Sequence, residues 1–195
     1  MRIHGGEGRR AVETTDLRAL SVLLVDDNAN MRKVITAILK AAGVRKIHEA
    51  DDGLSALRIF QSHEIDIIFT DLVMQPVDGL AFVKWARTST ASPNPYVPII
   101  MMTGHATQRT LNEARMAGIT EFLAKPLTAR TVMHRINEII NNPRPFVRAK
   151  EYFGPCRRRR IDHDFAGADR RGTRRAGALV PVRDAMAEMD PEDVY

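Results

Sequence analysis

The sequence predicts an α/β protein built on a doubly wound, parallel, five-stranded sheet. Five short apolar runs alternate with five amphipathic segments over residues 21–141. Several of these runs are continuously apolar, which is typical of strands that are buried on both faces. Strands that alternate with helices through short connections form a parallel sheet with helices packed on both sides.

The five strands are predicted where apolar residues cluster between the helical segments. Residues 21–27 form an apolar run that ends in two acids, and residues 66–71 repeat the pattern with one acid. Pro98 lies near the start of the fourth run, where a strand tolerates proline. The predicted strands are 21–27, 46–50, 66–71, 97–104 and 121–125.

The five helices are predicted from apolar residues spaced three and four positions apart. Asn28 is suited to cap the first helix and Gly43 to end it, while Gly79 opens the third. In the last helix, Val132 and Ile136 lie on one face. The predicted helices are 31–43, 53–63, 79–89, 107–117 and 128–142.

The predicted domain covers residues 21–142, between an N-terminal extension (1–20) and a C-terminal tail (143–195). Residues 143–183 hold 12 Lys+Arg against 4 Asp+Glu, a net charge of +8, whereas residues 184–195 carry acidic charges only. The tail has Pro, Gly and Arg clusters and no helix or strand period. We therefore expect it to be mostly disordered.

Composition narrows the class of protein. The 195 residues are 27% charged and 44% hydrophobic, as in ordinary globular proteins. A single cysteine excludes an internal disulfide and argues against a cysteine-based zinc site. No apolar run is long enough to span a bilayer, and the N-terminus lacks the apolar stretch of a signal peptide. We expect a cytoplasmic protein without a membrane span.

Polar side chains stand at the carboxyl ends of four predicted strands. They are Asp26, Asp27, Asp71, Thr103 and Lys125. The carboxyl ends of parallel strands meet at one edge of a sheet, which is where open α/β sheets bind their ligands. We therefore expect three carboxylates, one hydroxyl and one ammonium group in a single cleft.

This group of side chains predicts phosphoryl chemistry. Three neighbouring carboxylates repel one another, and Mg²⁺, which prefers oxygen ligands, removes that repulsion. Lys125 and Thr103 can bind anionic oxygens. Because the sequence has no glycine-rich nucleotide-binding loop, we expect the protein itself to accept the phosphoryl group, with Asp71 as the nucleophile.

Four motifs resemble the receiver domains of two-component response regulators. They are VLLVDDN (22–28), DLVMQPVDG (71–79), MTGH (102–105) and EFLAKPL (121–127). The intervals also match that family, with 44 residues from Asp27 to Asp71, 32 from there to Thr103 and 22 more to Lys125. The resemblance covers about residues 21–141 and implies the flavodoxin-like, CheY-like (βα)5 fold with strand order 2-1-3-4-5.

The resemblance also implies a role for each residue of the metal site. Asp71 is the phosphoacceptor and Asp27 a direct ligand of Mg²⁺. Asp26 acts through water or by orientation, and the backbone carbonyl of Val73 is the third protein ligand. The loop that follows departs from the family pattern, because Pro76 comes one position later than usual.

The remaining implied roles concern phosphoryl binding and signalling. Thr103 and Lys125 bind the phosphoryl oxygens, and Thr103 and Phe122 form the conformational switch. The switch ring is a phenylalanine and so lacks the hydroxyl that a tyrosine would bring.

The function implied by the resemblance is that of a single-domain response regulator. Its phosphoryl donor is a phospho-histidine of a sensor kinase or of a histidine phosphotransfer protein. It signals through changed contacts with a downstream protein at the face of helix 4, strand 5 and helix 5, and catalyses only its own phosphorylation and dephosphorylation. The alternative is a receiver-regulated adaptor whose arginine-rich tail binds nucleic acid or another anionic surface.

Overall fold

The computed structural model describes residues 17–104, 107–150 and 152–156. A short 3-10 helix, Leu17–Ala19, precedes the first strand. The strands are β1 Ser21–Val25, β2 Lys46–Ala50, β3 Ile67–Asp71, β4 Ile99–Thr103, β5 Glu121–Ala124, β6 Phe146–Ala149 and β7 Tyr152–Pro155. The α-helices are α1 Ala29–Ala41, α2 Gly53–Ser62, α3 Gly79–Thr88, α4 Gln108–Ala117 and α5 Ala129–Asn141.

Strands β1 to β5 form one parallel sheet in the order β2-β1-β3-β4-β5. This confirms the predicted doubly wound fold and its strand order. The register pairs Val25 with Ala50 and Thr103 with Ala124, so neighbouring strands end level with one another. Their carboxyl ends consequently form the edge on which the predicted site residues lie.

Two apolar layers cover the faces of the sheet. One contains Leu23, Ile68 and Met101 and packs against α2, α3 and α4. The other contains Leu24 and Phe69 and packs against α1 and α5. Strands β1, β3 and β4 are buried along their whole length, which explains why their sequences are continuously apolar.

The observed helix bounds follow from the residues at their ends. The Asn28 side chain accepts hydrogen bonds from the backbone N–H groups of Asn30 and Met31, so α1 begins at Ala29, two residues before the predicted start. Gly118 ends α4 with a φ of 96°, a left-handed conformation that glycine adopts readily. None of the helices in the described ranges is long and apolar enough to cross a membrane.

Two segments that were predicted to lie outside the domain contribute to it. Leu17 of the N-terminal extension is buried in the layer beneath α1 and α5. After α5, strands β6 and β7 pair as an antiparallel hairpin, so the prediction of no regular element beyond residue 142 does not hold for residues 146–155. Residues 157–195 lie outside the described ranges, and the disorder expected there stays a prediction.

The hairpin packs against α3, α4 and the loop before β4. Phe146 is buried, and its ring centroid lies 5.2 Å from that of Tyr96 and 5.6 Å from that of Phe153. The guanidinium of Arg87 lies 5.2 Å from the Phe146 ring and donates hydrogen bonds to the carbonyl of Gly118 at 2.9 Å and to that of Pro95 at 2.8 Å. Tertiary contacts thus hold a segment whose own sequence carries no strand period.

Candidate functional site

The acidic cluster lies where β1 and β3 end. Asp26 directly follows β1 and is fully buried, Asp27 is exposed, and Asp71 is the last residue of β3. One carboxylate oxygen from each of the three lies within 4.8 Å of the others. The structure therefore brings together the three acids that the sequence predicted to converge.

Lys125 joins two of these acids from the end of β5. Its Nζ lies 2.9 Å from an oxygen of Asp26 and 2.9 Å from an oxygen of Asp71. Its backbone N–H donates to the carbonyl of Thr103 at 2.8 Å, which continues the pairing of β4 with β5 past the strand ends. The ammonium group thus lies beside the predicted nucleophile.

Burial and the neighbouring charges shift the pKa values of Asp71 and Lys125 in opposite directions. Burial raises the pKa of Asp71, and the Lys125 ammonium offsets part of that rise. Burial alone would lower the pKa of Lys125, but the carboxylates of Asp71 and Asp26 outweigh it and raise that pKa above its usual value. The ammonium is therefore charged at neutral pH and can bind an anionic oxygen.

The donor set suits a small, hard cation. Ligands of an octahedral Mg²⁺ lie about 2.0–2.1 Å from the ion, so opposite ligands are about 4.2 Å apart. The carboxylates of Asp26, Asp27 and Asp71 lie close enough together to offer their oxygen atoms to one such ion, directly or through water. Oxygen donors alone are what this ion prefers.

Two contacts to Asp26 were not foreseen from the sequence. The backbone N–H of Asn28 donates to its carboxylate at 2.9 Å, and the Arg32 side chain donates to its carbonyl at 2.7 Å. Arg32 also lies 3.4 Å from Glu49 of β2, which fixes the arginine from its other side. The cap signal at Asn28 pointed to a helix start, but no sequence signal indicated that Arg32 would hold Asp26.

The loop from Leu72 to Asp78 is held tightly against the end of β3. The backbone N–H of Gly79 donates to the carbonyl of Leu72 at 3.1 Å. A Cβ atom at Gly79 would overlap the carbonyl oxygen of Asp71, so only glycine fits this approach. Val73, whose carbonyl was the predicted metal ligand, lies in this loop with its residue 71% exposed.

The predicted switch residues occupy neighbouring strands. Thr103 is buried at the end of β4, and Gly104 beside it has open space where a side chain would be. Phe122 is half-buried on β5, with the Arg115 guanidinium of α4 at 6.0 Å from its ring. In the described ranges no hydrogen bond joins the Thr103 hydroxyl to Asp71 or Lys125.

Residues 22–137 match the family described as the response regulator receiver domain. The chain belongs to this family. The chemotaxis protein CheY-3 of Vibrio cholerae is 31% identical over 120 residues, which cover 62% of this chain and 91% of that protein. This chain is thus a receiver homologous to CheY, and its family serves two-component signalling by phosphorylation.

Two solved structures are similar to the receiver. The receiver domain of sensor histidine kinase PA1611 from Pseudomonas aeruginosa, with a magnesium ion coordinated in its active site cleft, is 32% identical. Its TM-score is 0.54, over 61% of this chain and 94% of that chain. The CheX–CheY–BeF3–Mg complex of Borrelia burgdorferi matches with 25% identity and a TM-score of 0.56, over 62% of this chain and 89% of that chain.

Proposed function

We propose that Asp71 is the phosphoacceptor of this receiver. A carboxylate oxygen of Asp71 attacks the phosphorus of a phospho-histidine, on a sensor kinase or on a histidine phosphotransfer protein. The O–P bond forms as the N–P bond breaks, and the histidine nitrogen keeps the electron pair. The observation that carries the proposal is the position of Asp71, at the end of β3 with Lys125 at 2.9 Å and two further acids within reach.

The neighbouring side chains support this transfer. The Lys125 ammonium and the Thr103 hydroxyl bind the oxygens of the arriving phosphoryl group, whose negative charge the buried Asp71 could not accommodate alone. Asp26, Asp27 and the carbonyl of Val73 would hold Mg²⁺ next to Asp71. When bound, the ion neutralises the charge that the transferring group shares with the carboxylates.

The proposed output is a changed contact with a downstream protein, not a reaction on a substrate. The chain would catalyse only its own phosphorylation and dephosphorylation. After phosphorylation, Thr103 moves toward the phosphoryl group, and the Phe122 ring fills the space that it leaves. The face of α4, β5 and α5 thereby changes shape and binds the downstream partner differently.

The alternative, an adaptor that binds nucleic acid through its tail, has no support from the relatives. The family match covers residues 22–137, and the alignment with CheY-3 covers 62% of this chain. Arg157–Arg160, which motivated the alternative, lie outside the described ranges.

The phosphoacceptor is tested by labelling with acetyl phosphate and Mg²⁺, followed by mass spectrometry of the intact chain. We expect Asp71→Asn to lose the added phosphoryl group, because the amide keeps the shape but is not a nucleophile. The matched control is Asp66→Asn. Asp66 accepts a hydrogen bond from Ser21 at the opposite edge of the sheet, so its substitution should leave labelling unchanged. Full labelling of Asp71→Asn would exclude the proposed role.

The switch is tested on Thr103→Ala with the beryllofluoride anion as the acyl-phosphate mimic. We expect the variant to bind the mimic but to show smaller changes than the unmodified chain in the amide NMR signals of β5. Thr90→Ala, an exposed threonine after α3, is the control and should respond fully. Equal signal changes in the unmodified chain and in Thr103→Ala would contradict the proposal that Thr103 transmits the effect of phosphorylation to β5.

A further inference from the structure

The hairpin forms a groove with α3 and α4 on the outside of the receiver, with a volume of about 890 Å³. Met116 of α4 lines it and is 48% exposed, and Phe153 of β7 lies opposite. We call this feature the α4–hairpin groove. Its charged lining residues in the described ranges are Lys84, Arg109, Glu113, Arg148 and Lys150.

Contacts hold the hairpin, which forms one wall of the groove, against the receiver. A Cβ atom on Gly154 would lie 2.8 Å from the Cα of Gly118, so the hairpin packs closely against the end of α4 and leaves no room for a side chain there. Arg144, just before β6, pairs with the buried Glu121 of β5, which Arg135 of α5 also approaches to 3.4 Å. These contacts hold the hairpin next to α4, and the groove lies between them.

The described residues that line the groove carry a positive net charge. Its only carboxylate in the described ranges, Glu113, is paired with Arg109 at 2.8 Å. The Arg148 guanidinium lies 4.5 Å from the Phe153 ring, which holds the cation at the rim. Among the described lining residues, four cations exceed the one acid by a charge of three, and Met116, Ala117, Ala149 and Phe153 add apolar surface. This surface fits a segment that combines several carboxylates with apolar side chains.

We propose that residues 184–195 of the same chain bind in the α4–hairpin groove. Their sequence, DAMAEMDPEDVY, has five acids, no basic residue and interspersed Met, Val and Tyr side chains. The 27 residues between Cys156, at the end of the hairpin, and Asp184 could extend to about 90 Å, so the tether reaches the groove easily. Tethering also supplies an effective concentration on the order of 1 mM, enough for individually weak ion pairs to fill the site.

This proposal goes beyond the function proposed for Asp71 and does not depend on it. A segment in the groove would lie over the outer side of α4, beside the face that is proposed to bind the downstream protein. The acidic segment would then compete with partners that approach α4.

The first test follows the methyl NMR signal of Met116 in the full chain, assigned with Met116→Leu. The comparison chain has its terminal acids replaced by amides: Asp184→Asn, Glu188→Gln, Asp190→Asn, Glu192→Gln and Asp193→Asn. We expect the Met116 signal to differ between the two chains at low salt. The difference should vanish at 1 M salt, where screening acts over about 3 Å. An identical Met116 signal in both chains at low salt would overturn the proposal.

The second test adds a synthetic peptide of residues 184–195 to the chain with the five amides. We expect the peptide to bind saturably and to return the Met116 signal to its position in the unmodified chain. Adding Arg148→Ser and Lys150→Ser to the amide chain should lower its affinity for the peptide about five-fold, because two weak surface ion pairs are lost. Removing the same charge from α1 with Lys33→Ser and Lys40→Ser should leave the affinity for the peptide unchanged.

Two results of the second test would overturn the proposal. Equal peptide affinity in the hairpin and α1 variants would mean that the groove is not the binding site. Equal affinity for the unmodified and the amide chains would mean that residues 184–195 do not fill the groove, which would leave it to an acidic segment of another protein. Unchanged far-ultraviolet circular dichroism and urea midpoint would show that the hairpin variants remain folded.

Discussion

The hairpin is predicted to be a structural part of the receiver, and Phe146→Ala tests this most directly. Only 4% of Phe146 is exposed. Its ring contacts the rings of Tyr96 and Phe153 and the guanidinium of Arg87. Alanine at this position would remove one member from each of these contacts and leave a cavity beside α3.

The expected loss follows from the size and surroundings of the ring. Replacing a buried phenylalanine by alanine costs about 3–5 kcal/mol of unfolding free energy. The value here should fall near 3 kcal/mol, because the hairpin lies at the periphery and can move into part of the space. Urea unfolding followed by far-ultraviolet circular dichroism measures it, and a loss of this size should lower the melting temperature by roughly 10 °C.

Val147→Ala provides the matched control within the same strand. Val147 is only half-buried and lies on the other side of β6, so its truncation should cost less than about 1 kcal/mol. If Phe146→Ala cost no more than Val147→Ala, the hairpin would rest on the receiver without stabilising it. The reasoning from burial would then be refuted.

Three further predictions concern the metal, the β3 loop and the histidines. Asp27→Ala should weaken Mg²⁺ binding at least ten-fold in calorimetry, and unchanged affinity would exclude Asp27 as a ligand. Gly79→Ala should lower the unfolding free energy by about 2 kcal/mol or more, because the Cβ atom of the alanine would overlap the carbonyl oxygen of Asp71. An unchanged midpoint of urea unfolding would contradict this. The pKa of His48 lies below 6.5, because burial, then the neighbouring His63 and then Lys46 disfavour its protonated form. Just below pH 6.5 the unfolded chain therefore binds more protons than the folded chain does. The free energy of unfolding should therefore rise as the pH increases toward 6.5, and it should rise less steeply in His63→Gln. Equal slopes of the urea midpoint against pH in the two chains would refute the interaction between His48 and His63.

The fold and the acidic cluster were predictable because their signals are local. Continuous apolar runs marked the buried strands, and a parallel sheet brings strand ends together whatever the details of packing. Asp26, Asp71 and Lys125 needed only their places at the ends of strands to be assigned to one cleft. The hydrogen bond from Arg32 to the Asp26 carbonyl depends instead on how α1 lies against β1, which no spacing in the sequence reveals.

The hairpin was missed because its residues carry the wrong local signals. A half-buried strand alternates between apolar and polar side chains, but β6 is buried only toward its start and β7 only toward its end. Gly154 and Pro155 are typical of a loop, yet Gly154 is needed because a Cβ atom there would lie 2.8 Å from the Cα of Gly118. Arg87 looks like a surface residue of an amphipathic helix, but it is buried and bonded to the carbonyl oxygens of Gly118 and Pro95. Each of these residues takes its structural role from a partner distant in sequence, so periodicity along the chain could not indicate that the ordered structure continues past α5.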